Sequence, residues 1–257
     1  MTDERRILVT GAAGYLGKRI GYLLSDKQIP FVATARNGDD RIEACNLENA
    51  DAVTELVSNL KIGTVIHTAA CVPKTGEGYS DEEAAASSLS MVENLIGSGI
   101  ERLVFTSSMT VYPETLPLPV HEEDAPESGD GYGGGKRRAE TALMAAGNLS
   151  AIILRLPGLF GPPRQNGILY NVALALSSDT APKLPENPPL WAAMHVDDAA
   201  DLCVRAAVLK KSESVIINAG YRGVFSLSSA INDLAALFDK PPLCSTPAPE
   251  FEMELSR

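Results

Sequence analysis

Apolar and polar positions change period repeatedly along this chain, and each change marks an element. Ile7, Leu8 and Val9 form a short apolar run of strand type, and Leu16, Ile20, Leu23 and Leu24 then follow the i, i+4, i+7, i+8 spacing of one helix face. Further strand-type runs cover residues 31–35, 64–67, 102–106, 151–156 and 215–218, with a brief one at 194–196. Helical patterns run from about residue 51 to 59, 81 to 98 with Gly99 as the stop, 168 to 177 and 226 to 238. One more helix, with Leu202, Ala206 and Leu209 on its face, can be capped by Asp197 or Asp198. Residues 73–80, 113–131 and 182–189 are rich in glycine, proline or acid and read as loops, and the tail from Lys240 reads as loosely held. No internal repeat interrupts the alternation. It predicts an α/β chain with a Rossmann-type, doubly wound parallel sheet.

The candidate chemistry lies where strands give way to helices. Gly11, Gly14 and Gly17 stand three apart between the first strand and the first helix. Gly11 would let the chain reverse, Gly14 would let the backbone approach a ligand, and Gly17 would let the helix lie close on the strand. The unpaired N–H groups that open this helix, at Tyr15 and Leu16, favour an anion such as a pyrophosphate. The second strand ends in Thr34-Ala35-Arg36, where a dinucleotide fold reads the adenine ribose. An acid there would bind the 2′-hydroxyl of NAD. The guanidinium of Arg36 instead suits a 2′-phosphate, so NADP is the expected cofactor, with NAD second. The small run Thr68-Ala69-Ala70, Thr106 and Pro157, at or just past strand ends, and Asn46-Leu47, ahead of the next helix, complete the expected cofactor contacts. His67, at a strand end, reads as a satisfied structural histidine.

Thr106, Ser107 and Ser108 put three hydroxyls at the C-terminal edge of the fourth strand, where open α/β sheets place ligands. Tyr132 and Lys136 are four apart and share a face if helical. A tyrosine ordinarily titrates near ~10, and an ammonium about 4 Å away is worth roughly 4 kcal/mol at an effective dielectric near ~20. That is enough to bring Tyr132 toward neutrality as a general acid or base, with Ser108 donating a hydrogen bond to the same substrate oxygen. Gly133, Gly134 and Gly135 intervene, each costing about 1 kcal/mol relative to alanine inside a helix. They predict a helix secure only after Lys136 and a loosened tyrosine–lysine geometry.

Composition narrows the partners. The 257 residues can bury a full core, and a net charge of −11 repels nucleic acid and anionic lipid. No run of about 18 apolar residues offers a membrane span, and Asp3, Glu4, Arg5 and Arg6 lead straight into the first strand, so a cytoplasmic location is expected. Cys45, Cys71, Cys203 and Cys244 show no C-x-x-C spacing; neither a metal site nor a disulfide framework is expected, and they read as ordinary buried thiols.

Taken in order, T-G-x-x-G-x-x-G, H-x-A-A, S-S-x-x-V-Y, Y-x-x-x-K, L-R-x-x-x-x-x-G-P and H-V-D-D resemble the extended short-chain dehydrogenase/reductase family, which contains NAD-dependent epimerases and dehydratases. The resemblance spans about residues 7–218. It implies Ser108, Tyr132 and Lys136 as the catalytic group and Gly11, Gly14, Gly17, Arg36 and Asn46 near the cofactor. It also implies His195 and Asp197 as structural braces, and a homodimer. The expected organisation is an NAD(P)-binding domain at 1–161 joined by 190–220, with 162–189 and 221–257 forming a small substrate-binding part. Two departures narrow the function. Dehydratases of the family carry T-D-E-V-Y, whereas this chain has Ser108-Met109-Thr110 in that motif, which argues against dehydration. Nucleotide-sugar epimerases carry an arginine and an asparagine near the substrate diphosphate; the matching positions here are Trp191 and Gly158. The leading expectation is therefore an NADP-linked oxidoreductase acting on a carbonyl or alcohol of a small or sugar-like molecule. The alternatives are a sugar or nucleotide-sugar epimerase with internally recycled cofactor, and an NADP-sensing binding protein without turnover.

Overall fold

The computed structural model describes residues 6–71, 80–113, 115–127, 129–186, 190–209 and 213–255. Most of the loop expected at 73–80 lies outside the described residues, as do residues 187–189 of the proline-rich connection. Seven strands make one sheet with every pairing parallel: β1 (Arg6–Thr10), β2 (Phe31–Ala35), β3 (Glu43–Ala44), β4 (Ile62–His67), β5 (Arg102–Ser108), β6 (Ser150–Leu156) and, after two strands outside it, β9 (Val215–Asn218). Their spatial order is β3-β2-β1-β4-β5-β6-β9. The order reverses between β1 and β4, which opens a crevice at the C-terminal ends of those two strands.

Parallel strands covered on both faces read as continuous apolar runs, and β6 is buried at all seven positions. On one face lie α1 (Tyr15–Asp26) and α6 (Val196–Val208), which pack Ile20, Leu24, Cys203 and Val204 against Ile7, Val9 and Ile66. On the other lie α2 (Ala50–Asn59), α3 (Glu82–Gly97) and α4 (Gly131–Ala145), whose Val53, Val92, Leu95 and Leu143 meet Leu8, Val65 and Phe105. Beyond the sheet, α5 (Ile168–Ser177) and α7 (Leu227–Leu237) share a separate apolar cluster of Val172, Leu176, Leu227 and Ile231. Two small sheets flank it, β7 (Gly158–Phe160) parallel to β8 (Ala193–His195), and β10 (Phe225–Ser226) antiparallel to β11 (Glu250–Phe251). No helix among the described residues is long and apolar enough to cross a membrane.

Three local expectations change. The helix carrying Tyr132 begins at Gly131 and runs unbroken through the glycine run. A β-carbon on Gly133 would lie 2.3 Å from the Thr110 carbonyl oxygen, one on Gly134 1.8 Å from that of Gly129, and one on Gly135 2.8 Å from Ala85 Cβ. Close packing on three sides outweighs the poor intrinsic propensity, and the same packing removes the looseness expected of the tyrosine–lysine pair. The cap of α6 is His195, whose Nδ1 accepts from the Asp197 N–H at 3.3 Å, in place of Asp197 or Asp198. The tail is not loose over residues 250–254: Phe251 and Met253 are buried, and Val120 exchanges backbone hydrogen bonds with Glu252 and Glu254 at 2.9 Å each. Two apolar residues among acids and prolines were enough to dock it. Of the cysteines, Cys45 and Cys203 are buried, and burial pushes the Cys203 thiol up to about 12; Cys71 and Cys244 are only half-buried.

Candidate active site

The glycine turn is the meeting point of three strand ends. Gly11 adopts φ +66°, and a β-carbon there would lie 2.7 Å from the Ala69 backbone nitrogen; one on Gly17 would lie 2.3 Å from the Gly11 carbonyl oxygen. Only glycine lets β1, α1 and the chain after β4 approach this closely. The Ala12 N–H donates to the Thr34 carbonyl at 3.0 Å, tying the turn to β2, and Thr68 Oγ1 donates to the Thr10 carbonyl at 2.7 Å, tying it to β4. No side chain caps α1 and no acid stands in its first turn, which leaves its opening N–H groups and the positive end of its dipole for an anion. Arg36 is exposed two residues beyond Thr34 and makes no hydrogen bond or ion pair among the described residues. The cradle, the uncapped helix start and the nearby guanidinium fit a dinucleotide.

The other expected cofactor residues divide into two groups. Gly14, Tyr15, Leu16 and Ala69 stand at the turn with Ala70 next in the chain, the Tyr15 hydroxyl donating to the Gly161 carbonyl at 2.5 Å, while Asn46 is exposed and accepts from the Glu48 N–H at 3.2 Å. Leu47, Thr106 and Pro157 are turned inward. Leu47 belongs to the core with its carbonyl accepting from Asn94 Nδ2, Thr106 Oγ1 donates to the His67 carbonyl at 3.0 Å, and Pro157 is buried at the end of β6. Strand alternation turns the Thr106 side chain toward β4, while Leu47 and Pro157 lie outside the strands and are buried by packing.

His67 is buried but only half satisfied, contrary to the expectation of a satisfied histidine, because its Nε2 has no hydrogen-bond partner among the described residues. Its Nδ1 lies 2.8 Å from Thr10 Oγ1, its ring stacks on Phe105 at 5.9 Å, and it is 1% exposed. Burial, with the positive charge of Lys136 second, pushes its pKa from 6.5 down to about 3. Below about 6.5 the unfolded chain takes up a proton that the folded chain refuses, so this site's stabilisation is complete above that pH and falls as pH drops toward about 3. In urea titrations, the slope of stability against pH between about 6 and 4 is expected to be shallower by about 1.4 kcal/mol per pH unit in His67→Gln than in the unchanged protein. Equal slopes would refute the buried neutral imidazole.

Ser108 ends β5, and Tyr132 and Lys136 lie one turn apart near the start of α4. Lys136 is 4% exposed, donates from Nζ to the Thr106 carbonyl at 2.7 Å, and holds its ammonium 4.6 Å from the Phe105 ring centre and 5.7 Å from that of Tyr132. Burial lowers its pKa to about 8, against the pull of Glu140 in the other direction. At neutral pH it is a cation wedged between two aromatic rings, and the tyrosine beside it is half-buried.

Beneath this group lies a buried network that joins three motif residues, Ser107, Tyr112 and Arg155, to Glu140, Glu122 and Asn218, which no motif includes. Arg155 is fully buried and clamps Glu140 with Nε at 3.0 Å and Nη2 at 2.7 Å, while its Nη1 donates to Tyr112 Oη at 2.8 Å and to the Glu122 carbonyl at 2.7 Å. Ser107 Oγ donates to Glu140 at 2.6 Å, and Tyr112 Oη donates to Asn218 Oδ1 at 2.5 Å. The available signals were a lone arginine inside the apolar β6 and a carboxylate four residues after Lys136. The network joins β5, α4, β6 and β9 next to Ser108 and Lys136. On the opposite flank, Asp197 pairs with Arg19 at 2.5 Å, and a β-carbon on Gly161 would lie 2.4 Å from His195 Nε2. His195 and Asp197 therefore brace the segment that receives the Tyr15 hydroxyl.

This arrangement can be set against known proteins. The family model described as the NAD dependent epimerase/dehydratase family matches residues 7–220. The chain belongs to this family. Among relatives, UDP-glucose 4-epimerase of Azospirillum brasilense is 27% identical over 91% of this chain and 79% of its own length. Methionine adenosyltransferase 2 subunit beta of Bos taurus is 28% identical over 88% of this chain and 67% of its own. The crystal structure of UDP-N-acetylglucosamine 4-epimerase from Bacillus cereus superposes with a TM-score of 0.78 at 17% identity, covering 98% of this chain and 86% of that one. MoeE5 in complex with UDP-glucuronic acid and NAD gives a TM-score of 0.78 at 23% identity, covering 98% and 90%. These likenesses establish the shared Rossmann-like architecture of the epimerase/dehydratase fold.

Proposed function

We propose that this chain is an NAD(P)-dependent epimerase of a sugar or nucleotide sugar, in which Tyr132 carries the proton. The observation that carries the reading is the buried Lys136 ammonium, held by the Thr106 carbonyl against the Tyr132 ring. Bound dinucleotide supplies reversible hydride exchange at the substrate carbon. Tyr132, held as a phenolate by the Lys136 ammonium, takes the proton from the substrate hydroxyl as it becomes a carbonyl, and as the neutral phenol returns it in the reverse step. Ser108 donates a hydrogen bond to the same substrate oxygen and steadies its developing charge. The glycine turn and the α1 N-terminus would hold the pyrophosphate, and Arg36 supports NADP over NAD.

The sequence alone put net oxidation or reduction first; two considerations move the weight to internal recycling. The Azospirillum relative is a 4-epimerase over most of both chains. The Tyr15–Gly161 hydrogen bond also straps the chain just after β7 across the start of α1, which suits a cofactor kept through the whole turnover. Net oxidoreduction stays as a second reading because Trp191 stands where a diphosphate-binding arginine is expected. Trp191 lines a pocket of about 390 Å³ with Ile168, Leu184, Pro185 and Leu227, and Lys183 is the one cation on its wall among the described residues. The reading as a sensor without turnover rested on loose glycines, and their close packing removes that ground.

The two enzymatic readings separate in one experiment. The purified protein is given UDP-galactose, UDP-glucose and the free sugars, with products followed by NMR, absorbance at ~340 nm recorded, and the nucleotide released on denaturation identified by mass spectrometry. The expected result is inversion at one sugar carbon, no net absorbance change and a co-purifying dinucleotide. Stoichiometric cofactor consumption without inversion would instead establish net oxidoreduction.

A further inference from the structure

We propose that Thr110 is a positioning residue that makes Ser108 an obligate hydrogen-bond donor toward the substrate oxygen. Ser108 Oγ accepts twice from this single neighbour, from the Thr110 N–H at 3.2 Å and from the Thr110 hydroxyl at 2.9 Å. A serine hydroxyl has two acceptor lone pairs and one proton. With both lone pairs engaged, its remaining hydrogen-bonding capacity is to donate, and its proton has no acceptor among the described residues. Ser108 is half-buried at the last position of β5, so the proton is presented at the crevice edge.

The fold holds Thr110 in place on both sides. It is the middle residue of a single 3-10 turn, Met109–Val111, that Ser108 itself caps, and the flanking Met109 and Val111 are buried. On its other side α4 presses on the Thr110 carbonyl at Gly133, where any β-carbon would come within 2.3 Å. Gly133 follows Tyr132 directly, so the serine and the tyrosine are registered to each other through Thr110. A serine free to accept could take the proton of Tyr132 or turn its own proton back to the protein, and either would remove the donor that steadies the substrate oxygen. The inference rests on the reading of Ser108 as the partner of that oxygen.

The direct test is joint neutron and X-ray crystallography of the perdeuterated protein. The Thr110 deuteron is expected on the Ser108 oxygen and the Ser108 deuteron toward the crevice; a Ser108 deuteron shared with Thr110 would overturn the proposal. The kinetic test uses the sugar found to be inverted. Thr110→Val, which keeps the branched shape and the backbone N–H, is expected to lower kcat about tenfold with KM within about twofold, and Thr110→Ser to restore it. In a Ser108→Ala background Thr110→Val should cost nothing further, since the two residues act as one unit. An unchanged kcat in Thr110→Val, or the same tenfold loss without Ser108, would count against it. If no sugar is inverted, the functional reading fails, and the neutron map still decides the polarity of Ser108.

Discussion

Replacing Tyr132 by phenylalanine is expected to lower turnover about 1,000-fold while leaving dinucleotide affinity within about twofold. The substitution removes one oxygen, the group proposed to exchange the proton with the substrate. It leaves the ring against which the Lys136 ammonium rests at 5.7 Å, and it leaves the Lys136 bond to the Thr106 carbonyl in place. Folding, the glycine turn and the α1 N-terminus are therefore undisturbed, which makes this a change in chemistry alone. Steady-state rates beside a fluorescence titration with NADPH and NADH check it. Turnover within about tenfold of the unchanged protein would mean that another group carries the proton. Loss of binding together with turnover would place Tyr132 in the cofactor site and out of the reaction.

Breaking the buried ion pair is expected to have the largest effect on stability. Glu140→Leu leaves the Arg155 guanidinium fully buried without its bidentate partner, and removing one member of such a pair costs about 3–5 kcal/mol. Removing both charges, as Glu140→Leu with Arg155→Met, is expected to recover most of that loss, because the desolvation cost of the pair disappears along with the pair. The recovery should be incomplete. Ser107 and the Glu122 carbonyl lose a partner in the double variant, and Tyr112 keeps only its bond to Asn218. Urea unfolding of the two single variants and the double variant measures this coupling directly. A single-variant loss under about 1 kcal/mol would show that the network is not what holds β5, α4, β6 and β9 together.

What the sequence revealed follows from the range of the interactions involved. The alternation of strand and helix, the glycine turn and the tyrosine–lysine spacing are local patterns, and their backbone consequences appear where the pattern puts them. Gly11 with φ +66° and Gly17 against the Gly11 carbonyl have the geometry that a turn followed by a close-packed helix requires. What escaped was set by contacts distant in the chain. Glu140 meets Arg155 only because α4 crosses the sheet over β6, and Asn218 joins them from β9. The start of α4 was misjudged for the same reason: intrinsic propensity counts each glycine as a loss, while Thr110, Gly129 and Ala85 leave room for nothing larger. His195 caps α6 in place of a more usual aspartate because its ring is already fixed against Gly161 and Phe160. Thr106 lies near the end of β5 as expected, but its side chain bonds the His67 carbonyl, a direction that proximity to a strand end does not carry.

The same close packing sets how far this chain can vary. Gly133, Gly134 and Gly135 hold no functional group and touch no reacting atom, yet a single methyl at any of them would have to displace a neighbouring backbone or helix. A survey of all substitutions should find these three positions as intolerant as Tyr132 and Lys136 themselves. Mutational sensitivity alone would then draw the active site three residues too large, and only the shape of the helix would tell the residues that react from those that merely leave space.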